Sequence, residues 1–212
     1  MTTTWAGFLA CIRSYLQDTS QTNPKYSDEL IYLYTCDAIR DYSQWFPKVT
    51  RIEIANADGV YALPEDFGGV ITIEDDNGAF LKKRLARPGY KYRTLTNPTR
   101  YWVTSEGIRL NSSTTNPIYL TYRGSHDLPA TADDMTFAFS IPDRDMELVS
   151  IYVRAQCLEQ TRSRQANLDR FKRRGERDDN PLIYETSSLM DEYLAKVAER
   201  YTGGARYLYL AD

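Results

Sequence analysis

His126 is the only histidine in the chain, and Cys11, Cys36 and Cys157 are its only cysteines. A zinc site needs several imidazole or thiolate ligands at short spacings, and no C-x-x-C pair or second histidine supplies them. Adjacent carboxylates occur at Glu65/Asp66, Asp75/Asp76, Asp133/Asp134 and Asp178/Asp179. Glycoside hydrolysis needs two carboxylates facing each other across a cleft, whereas neighbours in a turn read as hairpin tips or helix caps. The Asp75 to Asn77 run begins like a calcium loop and then lacks the alternating acidic spacing and the closing glutamate. Gly68-Gly69 has no Lys-Ser/Thr behind it, and no G-x-S-x-G, H-E-x-x-H, Walker loop or G-x-G-x-x-G is present. The expectation is a protein without catalytic residues, metal or organic cofactor.

One charged feature stands out. Arg162, Arg164, Arg170, Lys172, Arg173, Arg174 and Arg177 crowd a short span with few carboxylates. Two readings stand: a solvated helix face, or a surface for an acidic partner or for DNA phosphates. Only Phe171 interleaves with these cations, so a base-stacking site is not indicated. The net charge of -3 also argues against a dedicated nucleic-acid binder, which carries a basic excess to neutralise phosphates.

The rest of the composition fits a folded protein with sticky surfaces. Hydrophobic residues make up 42% of the chain and charged ones 26%, enough to bury a core. Tyrosines number 17 against 7 phenylalanines; such rings suit strands, and equally suit half-buried partner contacts. The scattered cysteines suggest a protein made in a reducing cytoplasm. The N-terminus lacks a basic signal region and the apolar runs are too short to span a bilayer, so no membrane association is expected.

Hydrophobic periodicity then places the elements. Trp5, Phe8, Leu9, Ile12 and Leu16 predict a helix over 3–18. Asn23-Pro24 breaks the chain, and Ser27-Asp28-Glu29 opens a second helix that Pro47 stops. From residue 49 the period changes to alternation, as in Arg51-Ile52-Glu53-Ile54, with hairpin turns at Asp75 to Gly78 and Ser105 to Gly107. About six antiparallel strands are expected over 49–124. Pro142-Asp143 opens a third helix that fades toward Arg162. Ser188 with Asp191 resembles a capping box for a fourth, which Gly203-Gly204 ends. The expected class is α+β. A helical body of two N-terminal and two C-terminal helices (1–48 and 140–204) carries an inserted antiparallel β-domain (49–124). A connecting loop (125–139) and a C-terminal tail (205–212) complete it.

Several segments are similar to one known family. Phe8-Leu9-x-x-Ile12-Arg13-x-x-Leu16-x-Asp18-Thr19 resembles the first helix of tailed-bacteriophage head-to-tail adaptor (connector) proteins. So do Tyr26-Ser27-Asp28-Glu29-Leu30 and Asp37-Ala38-x-x-Asp41-Tyr42. Ile141-Pro142-Asp143 leading into Leu148, Tyr152 and Ala155, and then Leu168-Asp169-x-Phe171, resemble the C-terminal part. The chain departs from the smallest adaptors in carrying a β-insertion and in lacking an Ala-rich third helix. The resemblance implies a structural virion protein at the neck, with no turnover. Its copies form a ring, typically dodecameric, beneath the portal protein. That ring extends the DNA channel, lets genomic DNA pass without sequence-specific binding, and docks the next neck or tail protein. On this reading Arg206, Tyr207, Leu208, Tyr209 and Leu210 form a portal-docking tail, and the basic stretch from Arg162 contacts the portal or a neighbouring copy. The competing classes are a tail component binding a receptor or glycan through the β-domain, and an enzyme with an unrecognised carboxylate site.

Overall fold

Helix α1 (Trp5–Tyr15) starts where Thr4 leaves the extended conformation and its hydroxyl accepts from the Gly7 amide. It ends three residues earlier than the apolar spacing implies, and the reason is local. Gln17 adopts a left-handed φ of 52°, the Gln17 amide donates to Ser14 O and the Asp18 amide to Arg13 O. That pair of bonds is a Schellman stop, here with glutamine in the place glycine usually takes. Helix α2 (Asp28–Trp45) starts on the Ser27 hydroxyl, which accepts from the Leu30 amide, and Asp28 and Glu29 complement its N-terminus.

The computed structural model describes residues 3–20, 23–57, 59–84, 98–111, 116–172 and 181–208, with backbone alone at 164–172, 181–183 and 202–208. Two compact units emerge: Met1–Phe46 with His126–Asp212, and Pro47–Ser125.

In the first unit a single 3-10 turn, Asp143–Asp145, leads into α3 (Met146–Lys172), which is followed by α4 (Pro181–Leu208). Here the structure corrects the sequence reading three times. α3 continues through the charged stretch instead of fading at Arg162, because Arg, Gln, Lys and Leu are all good helix formers without any apolar stripe. α4 opens at Pro181, a residue suited to a first helical turn, so Ser188 and Asp191 lie inside it and form no cap. α4 also passes through Gly203-Gly204 to Leu208. Each glycine costs roughly 1 kcal/mol, but the nucleation cost has been met many turns earlier. Trp5, Phe8, Ile12, Ile31, Ile39, Leu148, Ile151 and Val153 form the centre of this unit's core, with α3 as its axis. Trp5, Phe8, Phe137 and Phe139 meet edge-on or tilted at ring separations of 5.3–6.5 Å, fastening the 137–139 segment to α1.

The second unit holds eight strands among the described residues: β1 (Lys48–Ile54), β2 (Asn56–Ala57), β3 (Val60–Tyr61), β4 (Phe67–Glu74), β5 (Lys82–Lys83), β6 (Arg100–Thr104), β7 (Gly107–Leu110) and β8 (Ile118–Gly124). They form two sheets, in the orders β1-β8-β4 and β2-β3-β7-β6-β5. All pairs are antiparallel except β5 with β6. The expected return strand after Asp75 to Gly78 is brief. Phe80 bridges Glu74, and the chain then leaves to run beside β6. Alternation sends Ile73, Ile118, Leu120 and Tyr122 inward from the first sheet. Tyr61, Tyr101, Ile108 and Leu110 come from the second, and together they form one core. Gly107, at φ 145°, is required where it stands: a β-carbon there would sit 2.4 Å from Tyr61 O.

Candidate assembly interface

The buried polar groups of the helical unit hold the fold. Asp18 sits just past the α1 stop, and its carboxylate accepts from the Lys25 amide (2.7 Å), the Tyr26 amide (3.0 Å) and Arg13 Nη1 (2.9 Å). Arg13 also donates to Tyr26 O and pairs with Asp28. One arginine and one aspartate thus close the loop between α1 and α2, while the Tyr26 hydroxyl reaches Thr161 on α3. His126 shares hydrogen bonds with Ser140 Oγ and with Phe46 O, both at 3.1 Å, and its amide donates to Ser43 Oγ. It is a buried clasp. Thr3 donates through its amide and hydroxyl to Asp143 Oδ1, and those bonds hold the Asp143 carboxyl below its ordinary value.

α4 is where the unit shows two working faces. Its inner face buries Leu189, Tyr193 and Val197. The Tyr193 ring stands edge-on to Tyr152 at 5.5 Å, and its hydroxyl donates to Asp41 on α2. Burial first, and then the Asp41 hydrogen bond, push the Tyr193 phenol well above its ordinary pKa. Arg200 pairs with the buried Asp145, whose other oxygen accepts from the Tyr42 hydroxyl at 2.7 Å. Lys196 donates to Glu147 and lies 3.0 Å from Glu192. The hydrogen bond from Lys196 lowers the Glu147 carboxyl and raises the Lys196 ammonium. Both cations of the 184–201 stretch are therefore engaged along the inner flank.

The outer face is different. At about 3.6 residues per turn, Tyr184, Asp191, Leu194, Ala198 and Tyr201 share one side of α4, and all are exposed. Tyr184 is 68% exposed, Leu194 52% and Tyr201 56%, values far above those of core aromatics and leucines. Asp191 is the one carboxylate among these five, while Glu185, Glu192 and Glu199 run along the other flank of the helix, beside Lys196. Trp45, at the end of α2, meets Tyr201 edge-on at 6.2 Å and extends the apolar part of the surface.

Met190, Tyr193, Leu194, Val197 and Tyr201 all satisfy helical spacing and on sequence alone form one stripe. The structure splits them, because 190, 193 and 197 point inward while 194 and 201, seven residues apart, point outward. Spacing alone does not separate the two sets, and Tyr184 precedes the place where the helix was expected to begin.

The sequence-predicted contact residues fall as follows. Arg162 lies on α3, half-buried and paired with Glu159 one turn earlier. Arg164, Arg170 and Lys172 occupy the last turns of α3, where the backbone alone is described; Arg173, Arg174 and Arg177 lie outside the described residues. Arg206, Tyr207 and Leu208 continue the α4 backbone rather than starting an extended tail, and Tyr209 and Leu210 lie outside the described residues. Among the described residues no cluster of three or more His, Cys, Asp or Glu is arranged to hold a metal ion, and no helix is long and apolar enough to cross a membrane. Burial lifts the Cys157 thiol to about 12, so it stays protonated in the core.

Comparison with known proteins places the chain. The family model described as SU10 adaptor protein matches residues 3–206. No curated protein matches it. The chain belongs to the SU10 adaptor protein family, a bacteriophage virion family that is structural rather than enzymatic.

Proposed function

We propose that this member of the family works as a ring, dodecameric as the resemblance implies, seated beneath the portal protein in the virion neck. There it extends the DNA channel and offers the next neck or tail protein a docking surface. The observation that carries this reading is α4. Its inner face is fastened to its own subunit by Tyr193, Lys196 and Arg200, yet its outer face presents Tyr184, Leu194 and Tyr201 to the surroundings. Exposed large apolar side chains on one continuous face mark a partner contact. The family match supports the reading by spanning both units.

The chain acts by assembly and conduction, without turnover. Asp18, His126 and Asp145 are tied into the fold and not poised toward a substrate. DNA passes without sequence-specific binding, since a channel that neutralised many phosphates would grip its cargo with salt-sensitive affinity. The basic positions from Arg162 onward meet the portal or a neighbouring copy. Arg206 to Leu210 dock on the portal. Because α4 is helical to Leu208, the docking mode is a helix end laid into a groove, not an added strand.

The test is reconstitution of the full chain with portal rings, followed by native mass spectrometry and pull-down. A closed ring bound to the portal is expected, with portal binding lost when Ala205 to Asp212 are deleted and melting nearly unchanged. A truncated chain that binds portals as well as the full one would remove the tail from the docking role. A chain that stays monomeric beside the portal would remove the ring.

A further inference from the structure

The net charge of -3 hides an uneven distribution. The unit Pro47–Ser125 carries eleven Lys and Arg against eight Asp and Glu, so the acidic excess lies wholly in the helical unit. From Asn77 to Ser105 the chain holds seven cations and no carboxylate. Of these, Arg87, Lys91 and Arg93 lie outside the described residues. The five-stranded sheet gathers the others. Register pairs Lys82 with Arg100 and Trp102 with Arg109, and cross-strand partners share a face. Arg100 and Trp102 are two apart on β6, so all four lie on one side of the sheet, opposite the buried Tyr101, Ile108 and Leu110. With strands about 4.8 Å apart, the patch is about 10 Å wide. Lys82, Lys83 and Arg100 are exposed, and Lys82-Lys83 is the terminal strand of the sheet. Among the described residues no carboxylate pairs with any of these three. Strands β2, β3, β5, β6 and β7 and the β6-β7 turn contain one carboxylate, Glu106, which accepts from Arg109 at 2.5 Å.

We propose that this face binds the phosphate backbone of duplex DNA without reading its bases. Charge and composition select that occupant. The centre of a protein interface is apolar and depleted of charge, lysine included. This face is the reverse, with cations throughout and a single half-buried aromatic. Such Lys and Arg side chains are what hold phosphate oxygens. One tryptophan is no stacking platform, so a single strand is not the preferred ligand. Few cations per copy give a weak hold that salt loosens, which suits a cargo that must still move. The inference goes beyond the ring reading and stands apart from it, since one copy carries the whole face.

The experiment is fluorescence anisotropy of the full chain with labelled duplexes of two unrelated sequences. Equal affinity for both is expected, falling steeply from about 50 to 200 mM salt. Lys82→Gln with Arg100→Gln should weaken binding about tenfold at the lower salt and reduce the slope of log affinity against log salt by about two. Arg40→Gln with Arg144→Gln removes the same charge from the helical unit and should leave both unchanged. If the first double variant melts early by circular dichroism, Lys82→Gln alone replaces it, with the slope falling by about one. An unmodified chain that ignores DNA, a Lys82 and Arg100 variant that binds as tightly, or a marked preference for one sequence overturns the proposal. So does labelled poly-glutamate binding as tightly as the duplex, which would assign the face to an acidic protein. A chain that binds DNA through this face yet forms no ring on portals removes the ring alone; a ring whose chain ignores DNA removes this inference alone.

Discussion

Replacing Asp18 with alanine should unfasten the loop between α1 and α2. The carboxylate is 5% exposed and accepts three hydrogen bonds, two from backbone amides and one from Arg13. Hydrogen bonds to a charged group contribute about 1.5–3 kcal/mol each, but they are not additive, and water can reach the Arg13 side of the site. Breaking a buried charge pair by removing one partner costs about 3–5 kcal/mol. A loss of about 3–4 kcal/mol is therefore expected, most of it from the amides of Lys25 and Tyr26 left without acceptors and from Arg13 left with Asp28 alone. For a chain of this size about 2–4 °C accompany each kcal/mol, so the melting temperature should fall by about 6–16 °C. Asp18→Asn keeps an acceptor oxygen and should lose about half as much. Far-UV circular dichroism on heating, with urea titration as a second measure, reads the effect. A loss below about 1 kcal/mol, the level of an exposed ion pair, would refute the claim that Asp18 organises the loop.

Gly107→Ala should destabilise the β-unit by more than about 2 kcal/mol, because φ is 145° and the new β-carbon would meet Tyr61 O. Faster amide exchange at the Tyr61–Ile108 pairing checks it. Gln17→Gly should be neutral or mildly stabilising by denaturant titration, since glutamine there holds a left-handed φ. Tyr42 and Tyr193 have pKa values raised above the ordinary tyrosine value, by burial first and then by their hydrogen bonds to Asp145 and Asp41. Their contribution is fully present below pH about 10 and is lost as pH rises toward the raised values. The double variant Tyr42→Phe, Tyr193→Phe should show a flatter alkaline loss of stability, read by melting at stepped pH. Asp143 has the opposite sign: its contribution is present above the ordinary carboxylate value and is lost as pH falls through the lowered one. Asp143→Asn should remove the dependence at that site.

Much of the architecture was legible because it rests on local rules. Thr4 and Ser27 are good N-caps, Pro47 cannot continue a helix, and Arg51-Ile52-Glu53-Ile54 alternates as a half-buried strand must. The misread boundaries were those decided by context. Arg162 to Lys172 has no apolar period to announce a helix, and Gly203-Gly204 looks like a stop until the long helix before it is taken into account. The partner surface was hidden for a related reason. Leu194 and Tyr201 satisfy the same helical spacing as Tyr193 and Val197, and only the packing of α4 against α2 and α3 tells which pair is left outside. The loop chemistry of Asp18 was visible as a motif, but its meaning needed the Schellman stop that brings its carboxylate to the Lys25 and Tyr26 amides.

The most direct test of the account is an electron-microscopy reconstruction of the particle that contains this chain, at a resolution that traces α3 and α4. The account predicts a closed ring directly beneath the portal, with the α4 outer face covered by a neighbouring protein. A chain found as a trimer at a tail fibre, or in a neck ring with Tyr184, Leu194 and Tyr201 facing solvent, would contradict it.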